Sequence, residues 1–285
     1  MLELAAAEYR LVLAPERGGS VLRFDWRGQP LFRPVCGASI LDVASFPLVP
    51  FSNRIAWGRF RMGERDVALR PNFPGSDHPH VLHGFGWLAP WDVAEVAQNR
   101  AVLVHGYPGG EWPWPYRAEQ RFELDERGLA MILSVTNLGI DPMPAGLGFH
   151  PYFPRDRDTV YRGLHRGEWQ NDADCLPQHL IERATPVDWW DGAPAGSRCV
   201  DTAYEGREGV LSIRWPGRGY GVGICPSDNL ARTVVYTPAG QDFLCVESVS
   251  HMTDAFNREM GDTGHVQLAP GDTEQVNLIV RAEAI

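Results

Sequence analysis

The sequence predicts an all-β protein, a large antiparallel β-sandwich. Thirty glycines and 23 prolines cut the chain into short segments. No amphipathic helical pattern runs beyond about two turns, and strand-length apolar alternations recur roughly every 8–12 residues between turn signals. Taken in order, residues 9–13 and 20–26 read as strands around the turn Pro15-Glu16-Arg17-Gly18-Gly19, and Arg27-Gly28-Gln29-Pro30 turns toward another short strand. Residues 116–124 alternate charged with uncharged positions, Asp125-Glu126-Arg127-Gly128 supplies a turn, and 129–137 returns as the second strand of a hairpin. Further strands are expected at 210–215, 221–225, 233–237, 243–246, 265–268 and 275–281. The segment 156–196, rich in Asp, Arg and Pro and poorly periodic, is expected to form long loops anchored by Trp169, Trp189 and Trp190. No repeat divides the chain, so 1–285 reads as a single domain of ample core.

Composition excludes several classes of function. All 26 basic residues are arginine, which rules out Schiff-base and lysine-anchored pyridoxal chemistry. A net charge of −10 disfavours nucleic acid, whose phosphates require clustered basic residues. No apolar run approaches the roughly 20 residues of a membrane helix, and no basic stretch with an apolar core follows Met1, so no membrane association and a cytoplasmic location are expected. Five cysteines without CxxC spacing read as buried, reduced thiols. The sequence points to no protein partner.

Two separated segments could carry chemistry. Gly148-Phe149-His150-Pro151-Tyr152-Phe153 offers an imidazole and Cys245-Val246-Glu247-Ser248 a carboxylate, each in an apolar stretch where an unpartnered polar group is costly. Pro151 removes a backbone donor and pushes His150 toward an extended conformation at a strand end or edge. A hydrogen-bonded core histidine is the structural alternative. Asn53-Arg54-Ile55 sets a guanidinium fork beside apolar residues. His83 precedes Gly84, which permits close backbone approach, and Asp201 is either a site carboxylate or a turn cap. Trp112, Trp114 and Tyr116 alternate with prolines and fit either core packing or a sugar-facing wall. His78, His80 and His83 could instead hold a metal. Glu247 with Asp201 could form the carboxylate pair of a glycoside hydrolase.

Asn53-Arg54-Ile55 with Gly58-Arg59-Phe60, His83-Gly84, the His150 segment, Asp201, and Cys245-Val246-Glu247 with Asp254-Ala255-Phe256-Asn257 together resemble the aldose 1-epimerase (galactose mutarotase-like) family, in a divergent bacterial branch. The resemblance spans nearly the whole chain. It implies a β-sandwich of the galactose mutarotase type, a small-molecule sugar substrate, no cofactor and no metal. It also implies Glu247 as general base and His150 as general acid, with Arg54, His83 and Asp201 holding sugar hydroxyls and His83 near the ring oxygen. Two neighbouring readings are a non-catalytic sugar-binding or sensor protein and a phosphosugar (hexose-6-phosphate) epimerase, in which Arg59 and Arg61 would meet the phosphate.

Overall fold

The computed structural model describes residues 1–258 and 263–285. Among them, strands dominate and the only helices are short 3-10 turns. Every strand pairing is antiparallel, and one large sheet carries most of the chain as a curled sandwich. The sheet nearly closes on itself: the amide of Ala5, in Leu2–Ala6, donates to the Gln98 carbonyl beside the Asp92–Val96 and Arg100–Tyr107 hairpin. Closure of this kind leaves few unpaired edges.

Most expected strands appear with similar bounds. Tyr9–Ala14, Ser20–Trp26 and Gln29–Pro30 follow the reading, as do Glu208–Trp215, Tyr220–Pro226, Arg232–Tyr236, Phe243–Val249, Val266–Leu268 and Thr273–Ala284. Tyr116–Asp125 and Gly128–Asn137 pair as a hairpin in which Asp125 Oδ1 accepts the amides of Arg127 (2.7 Å) and Gly128 (3.2 Å). The segment expected to be loops is different. It holds two twelve-residue strands, Val160–Asn171 and Pro177–Asp188, paired with each other. Pro177–Asp188 is mostly exposed, so its charged residues hid the alternation that a half-buried strand shows.

Buried apolar residues cover both faces of the central strands. Phe149, Phe153, Leu244, Val246 and Val235 face the larger cluster, which also holds Trp112, Trp114 and Tyr116. The tryptophan motif is therefore core and not a sugar-facing wall. Full burial of such side chains contributes roughly 1.5–3 kcal/mol each. Residues of opposite parity, including Phe46, Tyr152, Val234 and Cys245, face a smaller cluster, and the candidate site opens on this side. Of the cysteines only Cys245 is buried; Cys36 and Cys199 are exposed and the other two half-buried, correcting the expectation of five buried thiols.

Candidate active site

His150 lies in the middle of the Gly148–Pro154 strand, which is paired on both sides and is neither an edge nor an end. Its partners are Ser45–Leu48, where Phe46 stands opposite His150, and Phe243–Val249. The second ladder is interrupted. Pairs Phe149 with Ser248 and Tyr152 with Cys245 bracket a gap in which the same register sets His150 against Glu247. Pro151 accounts for the gap, because it has no N–H to donate. The proline thus opens the ladder beside His150 instead of placing it at an edge.

In that gap, His150 Nε2 lies 3.3 Å from Glu247 Oε1. Both residues are buried, yet His150 Nδ1 and Glu247 Oε2 have no hydrogen-bond partner among the described residues. Buried polar atoms are rarely left so, and here the two residues line a cavity of about 450 Å³. The imidazole is clamped between rings, with centroids 4.4 Å from Phe46 and 4.8 Å from Tyr152, and the His83 ring meets it edge-on at 5.2 Å. Burial dominates the electrostatics. It pushes the Glu247 carboxyl well up, with Asp201 adding and Arg54 opposing, and pushes His150 down to about 3.

The other three expected residues line the same cavity. Arg54 donates to Asp201 Oδ2 at 2.9 Å and to Asn53 Oδ1 at 3.1 Å. Asp201 begins the Asp201–Glu205 strand and spends its carboxylate on this ion pair, so it is no turn cap. His83 accepts the Asn53 amide on Nδ1 at 3.1 Å, which leaves the proton of a neutral ring on Nε2. Burial lowers its pKa well below the usual value, so the ring is neutral at pH 7. Both Asn53 and His83 have left-handed backbones, φ 55° and 60°. Gly84, at φ 71°, passes so close to Val49 that a Cβ would sit 2.1 Å from its carbonyl oxygen. This is the close backbone approach expected of the glycine.

The histidine loop does not assemble as a metal centre. His78 and His83 line the cavity, whereas His80 is fully buried and its Nδ1 accepts the Trp57 amide at 3.0 Å. No group of three or more His, Cys, Asp or Glu among the described residues is arranged to hold a metal ion. Arg59 and Arg61 stand on the exposed Arg59–Met62 strand, away from the cavity, where Arg61 pairs with Asp66. Sequence reasoning missed Phe46 and Arg33. Phe46 lies in an apolar segment that carries no motif, and nothing around Arg33 marked it.

A profile of the aldose 1-epimerase family matches residues 1–281, and the chain belongs to that family. It is 33% identical over 276 residues to the uncharacterized protein YphB of Escherichia coli K12, covering 93% of each chain. A solved E. coli K12 protein, provisionally described as an aldose 1-epimerase, superposes with a TM-score of 0.90 at 29% identity, covering 99% of this chain and 98% of that one. A galactose mutarotase-like protein from Clostridium acetobutylicum gives 0.88 at 18% identity, covering 99% and 95%, a likeness of fold alone.

Proposed function

We propose that the protein is an aldose 1-epimerase that interconverts the α and β anomers of a free aldose. The observation that carries this reading is the contact between His150 and Glu247, two buried residues that line one cavity and each keep a side-chain atom without a hydrogen-bond partner among the described residues. Opening a cyclic hemiacetal removes the proton from O1 and delivers one to the ring oxygen. Both oxygens are bonded to C1, so a base and an acid in contact with each other can address them together. Glu247 takes the O1 proton and His150 gives one to the ring oxygen. Rotation about C1–C2 and reclosure with the roles reversed then yield the other anomer.

Each group alone resists ionisation in this site, but a pair holding one proton between them is neutral overall and avoids charging a low-dielectric cavity. The reacting form has the proton on His150 and a carboxylate at Glu247. His83 offers its Nε2–H to a sugar oxygen, and the Arg54–Asp201 pair presents a donor and an acceptor to neighbouring hydroxyls.

The cavity favours a neutral sugar over a phosphorylated one. Arg54 is committed to Asp201, and Arg33, the other arginine in the lining, donates to the carbonyls of Leu41 (2.8 Å) and Val43 (3.0 Å). Asp42, Asp201, Asp242 and Glu247 line the same space. The test is exchange NMR on freshly dissolved α-aldoses, corrected for the spontaneous rate and repeated after treatment with a chelator. Acceleration that survives the chelator supports the reading; tight sugar binding without acceleration would favour a sensor.

A further inference from the structure

We propose that the outer half of this cavity is a second sugar subsite and that the substrate is a reducing disaccharide; this rests on the epimerase reading above. The sheet that floors the cavity presents its residues in rows. His150 and Glu247 form the first row, with Phe46 beside them. Tyr152, Cys245, Tyr236 and Asp201 are in register as the second. Pro154 and Phe243 form the third. Same-face residues step roughly 6.7 Å along a strand, so the trough from Glu247 to Phe243 is on the order of 13 Å long. A single pyranose with O1 at Glu247 reaches Asp201 and the second row. The third row lies beyond it and has no part in the chemistry.

That outer end is nonetheless built. The Arg33 guanidinium lies 4.2 Å from the Tyr152 ring centroid and 4.7 Å from that of Phe243. Its two bonds to backbone carbonyls fix it as a flat shelf. Next to Phe243 in the chain, the backbone carbonyls of Gln241 and Asp242 accept bonds from Arg155, which pins their loop. The side chains of Gln241 and Asp242 are exposed, line the cavity and make no hydrogen bond among the described residues. A planar apolar surface rimmed by neutral and acidic hydrogen-bonding groups suits a polyhydroxylated ring. With Asp42 and Asp242 set against the single guanidinium of Arg33, the outer end offers an anionic substituent no net positive charge.

The experiment compares anomer exchange of maltose, cellobiose and lactose with glucose, and of galactobiose with galactose, with glucose 6-phosphate as an anionic control. At least one disaccharide should show kcat/KM roughly tenfold or more above its reducing-end monosaccharide. Phe243→Ala and the exposed Gln241→Ala should each remove about fivefold or more of that gain and leave the monosaccharide within about twofold. Equal kcat/KM for disaccharide and monosaccharide, a preference for glucose 6-phosphate, or variants that change both sugars alike or neither would overturn the subsite. Failure of the folded protein to accelerate any aldose would instead overturn the epimerase reading itself.

Discussion

Burial raises the pKa of Glu247, a group asked to act as a base, so its substitution separates chemistry from stability. Glu247→Gln keeps size and some hydrogen bonding but removes the proton acceptor. It should lower kcat by roughly 10²-fold or more and leave sugar affinity within about tenfold. Because burial raises the carboxyl's pKa, ionising it on the alkaline side costs folding free energy that an amide does not. The variant should therefore melt at or above the wild-type temperature at pH 8 to 9; a folded variant retaining most of its kcat would remove Glu247 from the mechanism. The pH–rate profile should be bell-shaped, with both limbs belonging to the pair. Its acid limb, uptake of a second proton, should fall below the ordinary imidazole range. Its alkaline limb, loss of the shared proton, should lie above the ordinary carboxylate range. Asp201 raises Glu247 and Arg54 lowers it, so Asp201→Asn should move the alkaline limb down and Arg54→Ala should move it up, opposite shifts that loss of sugar contacts alone does not produce.

At the scale of elements, the loop from Val81–Leu82 through Gly84 sets the position of His83. Gly84→Ala places a methyl group against the Val49 carbonyl in a left-handed backbone. The strain, on the order of 1–3 kcal/mol from the backbone alone, should lower Tm and reduce kcat/KM through a displaced His83. Unchanged melting and activity would show that the loop adapts freely. Alternation located the hairpin around Asp125–Gly128, whose strands have one face buried and the other partly wet, while short apolar runs between turn residues located later strands such as Tyr220–Pro226 and Phe243–Val249, which are buried on both faces. The Val160–Asn171 and Pro177–Asp188 strands escaped because exposure of the second removes the apolar signal. All five expected site residues line one cavity, but the sequence could not reveal that Pro151 sits within an interior strand. Nor could it show Phe46 or Arg33, whose presence at the site depends on pairings distant in sequence.

Across the whole molecule, the buried histidines decide behaviour in acid. Burial lowers His165 and His251 to about 4, and His83 and His150 are lowered as well. In the unfolded chain each titrates near 6.5. As pH falls through about 6.5, the unfolded chain takes up protons that the folded protein refuses; stability is full above that pH and declines toward the folded values. Scanning calorimetry from pH 8 down to pH 4.5 should show Tm falling mainly below pH 6.5, and a flat Tm across that interval would mean these rings are solvated. The path of the sheet has a kinetic consequence as well. His150 and Glu247 are nearly a hundred residues apart in sequence, and the strand carrying Ala5 finds its place beside Gln98. Such distant pairings must overcome chain-closure entropy before they gain any contact energy, so this topology folds slowly. During refolding, sheet signal should therefore precede any acceleration of anomer exchange, because His150 and Glu247 meet only once strands distant in sequence have paired.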